Sequence, residues 1–182
     1  NVFSINDIEN MTAASILNAM RDNLKQALHQ TKMEGSNQDS IDIALLIFDM
    51  NNMTIQYAGA FRPLWIVRNK TLLEYRGDRM PIGIYIAEKE SFTNHVIKIE
   101  HGDRLYLFSD GITDQYGYEN GELKKFTAKR LRQFLEKNHS LPMNVQKIFL
   151  DTLIHDWKVS NDIRLPAAQQ TDDITVLGIH II

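Results

Sequence analysis

Two short acidic stretches carry the residues that could do chemistry. Ser109-Asp110-Gly111-Ile112-Thr113-Asp114 follows the apolar run Leu105-Tyr106-Leu107-Phe108, so a carboxylate sits where a buried strand ends, a glycine follows, and a second acid comes four residues on. Far along the chain, Gln170-Thr171-Asp172-Asp173-Ile174-Thr175-Val176-Leu177 places two acids at the entrance to the final apolar run. Acids at strand ends are a common way to hold hard cations, because Mg²⁺ and Mn²⁺ take oxygen ligands on rigid supports. If the two strands are neighbours, their carboxylates converge. Two like charges about 4 Å apart repel by about 4 kcal/mol at an effective dielectric of about 20. A divalent cation removes that penalty, and raised carboxylate pKa values are the alternative. Each acid taken singly also has a structural use: Asp110 before Gly suits a turn, Asp114 can cap one, and Asp172-Asp173 can end a solvated loop.

Composition narrows the field. The chain of 182 residues is long enough for one domain with a sizeable core. Its formal charge of −3 gives no basic surface for nucleic acid. It has no cysteine, which removes disulfides, thiolate catalysis and Cys-ligated zinc, and fits a reducing, cytoplasmic setting. No apolar run approaches the roughly 20 residues that cross a bilayer, so no membrane contact is expected of this segment. His29, His95, His101, His139, His155 and His180 lack any metal-binding spacing. The serines lack a nucleophile-elbow setting, and neither a dinucleotide fingerprint nor a phosphate-binding P-loop is present. Trp65 and Trp157 read as core or interface packing, and Arg62 as a solvated arginine or a phosphate contact. The chain opens on Asn1-Val2-Phe3-Ser4 without Met, and the expectation is a piece cut from a longer protein.

The elements that must position the acids follow from periodicity. Ile16, Leu17, Met20, Leu24, Ala27 and Leu28 recur at helical spacing over 12–30, with Thr12 as N-cap. Residues 32–40 read as a loop. Strands are predicted over 41–49 and 54–58 around Asn51-Asn52, over 64–68 and 72–75 around Asn69-Lys70, and over 92–99, 103–108 and 174–182. Helices are predicted over 126–137 and 143–157, with 77–86 and 160–170 irregular. Residues 41–49 and 174–182 are apolar on both alternating faces, which predicts strands covered on both sides. Hairpins exclude an all-parallel sheet and the helices exclude an all-β fold. The expected fold is α+β: a four-layer α-β-β-α sandwich of two antiparallel sheets flanked by helices, one domain over 1–182.

Taken in order, the motifs resemble the C-terminal part of the metal-dependent protein phosphatases (PPM, or type 2C) in their SpoIIE-type branch. The two acidic stretches are similar to that family's metal motifs. Tyr57-Ala58-Gly59-Ala60-Phe61-Arg62-Pro63-Leu64 resembles its AGxxxPL hairpin, Met80-Pro81-Ile82-Gly83-Ile84 its PxG turn, and Ile41-Asp42-Ile43-Ala44 its DIA strand. The resemblance runs over essentially the whole chain and implies the same sandwich fold.

It also implies the chemistry. Asp110 and Asp172 fall at catalytic, direct metal-ligand positions; Asp173 takes the neighbouring position, Gly111 belongs with the same set, and Asp114 matches an outer position reaching metal through water. The implied cofactor is Mg²⁺ or Mn²⁺ in a two-metal site, where cations about 3.5–4 Å apart activate a water and neutralise phosphoryl oxygens. The implied reaction is hydrolysis of phosphoserine or phosphothreonine on a partner protein, such as an anti-sigma-factor antagonist-like protein, by an output domain of bacterial signalling. The family's first metal-binding acid should lie upstream of the first helix. Without it this chain alone is expected to be inactive, with sheet edges exposed or filled by a second copy in a homodimer. A non-catalytic binding module with a degenerate phosphatase fold is the alternative.

Overall fold

The structure is a computed structural model, and it describes residues 11–30, 39–160, 162 and 164–182. The chain divides into two compact units, Asn1–Leu64 with Glu74–Glu100, and Trp65–Leu73 with His101–Ile182.

The first unit sets a helix on a three-stranded antiparallel sheet. Helix α1 (Ala13–Ala27) starts at Thr12, whose hydroxyl accepts from Ser15 N while Ser15 Oγ answers the Thr12 N–H, a capping box. Its apolar face buries Ala13, Ala14 and Leu17 against Ala58, Ala60, Met80, Ile82 and Phe92. Strands β1 (Ile43–Asp49), β2 (Thr54–Ala60) and β5 (His95–Lys98) lie in the order β1-β2-β5. The β1–β2 turn forms where predicted, because Asp49 Oδ1 accepts from the amides of both Asn51 and Asn52. The strand predicted over 92–99 is shorter than its apolar content suggests. Phe92 N donates to Asn18 Oδ1 and Thr93 N to Asp78 Oδ2, so side chains take the amides a ladder would need.

The second unit sets helices on a four-stranded antiparallel sheet. Strands β3 (Leu64–Arg68), β4 (Thr71–Tyr75), β6 (Arg104–Phe108) and β9 (Val176–His180) run in the order β4-β3-β6-β9. The β3–β4 turn carries Asn69 and Lys70 at φ of 48° and 70°, the left-handed pair that matches strand twist in a two-residue hairpin. Helices α3 (Thr127–Asn138) and α4 (Met143–Lys158) bury Leu131, Leu135, Leu150 and Ile154 against Trp65, Val67, Tyr106 and Ile112. Two elements were not predicted: a short helix α2 (Asp110–Asp114), and a hairpin of β7 (Tyr116–Glu119) with β8 (Glu122–Lys125). The hairpin escapes a reading by hydrophobic pattern because every residue of β8 is exposed.

The α+β expectation holds, with antiparallel sheets and helices packed on them. Double coverage of the apolar strands does not. It is met by the interior strand β3, buried from Leu64 to Val67. β1 is only partly buried and Leu177 of β9 is half exposed, because both are edge strands. Apolar residues on both faces therefore did not mean burial on both. Of the loop predicted over 32–40, residues 32–38 lie outside the described residues.

Candidate metal centre

Strand register brings the two acidic stretches together. β6 pairs antiparallel with β9, Phe108 opposite Val176, so the chain after β6 emerges beside the chain before β9. Ser109 joins them. Its amide donates to Thr175 O at 3.0 Å, its hydroxyl donates to Asp173 O at 2.8 Å, and Thr175 N donates to the same hydroxyl oxygen at 3.0 Å. Ser109 sits at the N-cap of α2 yet makes no side-chain cap bond, since its hydroxyl is engaged by the β9 entrance instead.

Asp110 opens α2 and is half-buried. Gly111 follows because nothing larger fits: an added Cβ would stand 2.3 Å from Asp173 O and 2.8 Å from its carbonyl carbon. The backbones at 111 and 173 are in direct contact, so the peptide after Asp110 and the peptide carrying Asp173 are fixed relative to one another. Asp172 and Asp173 are exposed, and Asp172 Oδ1 accepts from Asp173 N at 2.7 Å. Asp114 is exposed at the end of α2, with Lys125 Nζ at 3.1 Å from its Oδ1.

The predicted residues thus sit on two adjoining segments: Asp110, Gly111 and Asp114 on one, Asp172 and Asp173 on the other. Sequence reasoning missed three residues. Ser109 and Gln115 bond across the gap, and Lys125 neutralises Asp114. Gln115 is buried; its Nε2 donates to Tyr116 O at 2.8 Å and to Gln169 O at 3.0 Å. Its presence beside α2 gave no sequence signal, because a lone Gln looks like any solvated residue. Arg62 lies in the first unit and donates to Asp42 Oδ2 at 2.6 Å. There Tyr57 Oη donates to Arg62 O, and Phe61 takes a φ of 57°, so the AGxxxPL resemblance marks a tightly built turn.

The donor chemistry suits a hard cation, with carboxylate oxygens carried on backbone that the Ser109 bonds and the Gly111 contact hold rigid. Among the described residues no group of three or more His, Cys, Asp or Glu side chains is gathered as a metal would require. The acids fit a cation in kind and would hold it in part.

An α+β chain of antiparallel sheets with acids at adjoining strand ends has a family. The chain belongs to the SpoIIE family: the model of Stage II sporulation protein E (SpoIIE) matches residues 7–182. Its fold is similar to the SiaA-PP2C domain of Pseudomonas aeruginosa, at a TM-score of 0.78 and 22% identity, covering 98% of this chain and 64% of that one. This chain therefore spans less than two thirds of that domain. It is also similar to the RsbU and RsbW domains of Rv1364c from Mycobacterium tuberculosis (TM-score 0.64, 16% identity, 94% and 42% covered). The Mn-presoaked phosphatase domain of the cell fate determinant SpoIIE from Bacillus subtilis is a third likeness (TM-score 0.53, 15% identity, 98% and 74% covered). At these identities the likeness is one of fold. No match was found among curated proteins. The fold is thus that of a protein phosphatase.

Proposed function

We propose that this chain forms part of a Mg²⁺- or Mn²⁺-dependent phosphatase that hydrolyses phosphoserine or phosphothreonine on a partner protein. Asp110 and Asp172 are the catalytic metal ligands in this reading; Asp173 and the Gly111 segment support them, and Asp114 lies one layer out. The observation that carries it is the joining of the two acidic stretches by Ser109 and by the Gly111–Asp173 backbone contact. Turn formers would need no such bond between segments more than sixty residues apart. The bound cations would supply charge for the phosphoryl oxygens and a water of lowered pKa. The chain's own part is to hold carboxylate oxygens at fixed positions and to keep their mutual repulsion from spreading the loop.

The setting that fits is a cytoplasmic output domain of bacterial signalling acting on an anti-sigma-factor antagonist-like phosphoprotein. No helix among the described residues is long and apolar enough to cross a membrane. Among the described residues β9 is the last strand of its sheet, and its outer side is where a second copy would add in a homodimer.

A second reading has its own observation. Lys125 places an ammonium on Asp114, where a cation's charge would otherwise act, and this suits a module that keeps the fold for binding without turnover. The experiment that separates them follows phosphate release from a phosphoserine peptide by the full-length protein, with Mn²⁺ and with chelator, beside Asp110→Asn in the same protein. Metal-dependent release that disappears in the variant supports the phosphatase. Saturable peptide binding without release supports the binding module.

A further inference from the structure

The acidic loop before β9 is held at both ends, and only one of the two attachments lies beside a proposed direct ligand. Ser109 takes the end nearest β9, adjacent to Asp110. The other end is taken by Gln115, one residue beyond α2, whose Nε2 donates to Gln169 O, three residues before Asp172. The second attachment is the more deeply buried, since Gln115 is 2% exposed.

Gln115 is itself fixed before it reaches out. Its carbonyl accepts from Phe126 N at 2.8 Å and from Trp157 Nε1 at 3.2 Å, which ties its backbone to the start of α3 and to α4. Its amide nitrogen is shared between Tyr116 O and Gln169 O, so both N–H groups are placed. A buried side-chain amide on an immobilised backbone holds its target with little motion. Gln169 through Thr175 is thereby spanned between two points that flank α2, and Asp172 and Asp173 lie inside that span.

We infer that Gln115 is a positioning residue for the cation site: it sets where Asp172 stands relative to Asp110 without touching metal or substrate. The inference rests on the reading of Asp110 and Asp172 as ligands. Residues that orient metal ligands from behind typically change metal affinity or activity by about 10- to 100-fold when removed. Gln115→Met keeps the side chain's length and loses both donors, while Asp172→Asn removes the ligand itself.

Two measurements on the whole chain decide it: amide hydrogen exchange over residues 169–175 without metal, and Mn²⁺ affinity by paramagnetic resonance. The expected result for Gln115→Met is faster exchange over 169–175, exchange in α3 and α4 unchanged, and Mn²⁺ affinity lower by about tenfold. Unchanged exchange over 169–175 would overturn the clamp. Faster exchange with unaltered Mn²⁺ affinity would show Gln115 to be structural only and would overturn the positioning role. A chain that binds no Mn²⁺, or binds it equally well as Asp172→Asn, would count against the ligand reading and with it the positioning role, while the exchange arm still judges the clamp by itself.

Discussion

Gly111→Ala tests the contact on which the candidate site is built. The added methyl would stand 2.3 Å from Asp173 O, and ordinary contact begins at 3.4 Å, so the Asp173 carbonyl must retreat by about 1 Å. The obstacle is backbone, with no flexible side-chain end to swing away. Forcing a methyl into a filled space costs about 1–3 kcal/mol. Against this, alanine is favoured over glycine within a helix by up to about 1 kcal/mol. Gly111 lies in the first turn of a five-residue helix, so little of that gain is realised. The net loss is about 1–3 kcal/mol, and at about 2–4 °C per kcal/mol for a chain of this size the melting temperature falls by about 2–12 °C. The displacement also separates the two acid-bearing segments, and a misplacement of about 1 Å at a reacting centre can cost about a hundredfold in rate. The assays are thermal melting with chelator present, and Mn²⁺ affinity. A variant melting as high as the parent, or higher, and binding Mn²⁺ as well would show that the 111–173 contact neither constrains the backbone nor positions the acids.

Three further outcomes are expected. In a preparation of the domain that turns over phosphopeptide, Asp110→Asn abolishes Mn²⁺-dependent release and leaves the fold intact, read as an unchanged circular-dichroism spectrum; retained activity would remove Asp110 from the ligand set. Lys125→Met leaves melting almost unaltered, because an ion pair this exposed contributes at most about 1 kcal/mol, and it tightens Mn²⁺ binding by removing a competing cation; unchanged binding would place Asp114 outside the cation's reach. The third concerns acid stability. Burial disfavours the charged form of Asp78, but hydrogen bonds from Lys89 Nζ and Thr93 outweigh it and hold its carboxyl below the ordinary aspartate range. A lowered folded-state pKa gives stability that is fully present above the unfolded value of about 3.9 and is lost as pH falls through the folded value. Asp78→Asn should therefore lower the melting temperature at neutral pH and flatten its fall below about pH 4, where parent and variant converge; parallel melting curves across that range would refute the assignment.

The chain's own pattern of residues determined much of this. Thr12 and the spacing from Ile16 to Leu28 determine α1, and Asn69-Lys70 determines the β3–β4 hairpin, because caps and left-handed turns are local and need only neighbouring residues. The acids were visible for the same reason, as unusual charges at the ends of apolar runs. Tertiary structure decided which strands are edges. Leu177 and Phe48 look like core residues in the sequence, and their exposure depends on whether another strand lies beside them, which no local pattern records. It also decided what surrounds the acids. Ser109 bonds to Asp173 and Thr175, Gln115 to Gln169, and Lys125 to Asp114. The first two links depend on the β6–β9 register and on the bond from Trp157 of α4 to the Gln115 carbonyl, and the third on the β7–β8 hairpin. Serine, glutamine and lysine have uncommitted hydrogen-bonding chemistry until the fold places a partner within about 3 Å. Residue type therefore shows which groups are able to hold a cation, and only the packed chain fixes which other groups hold those in place.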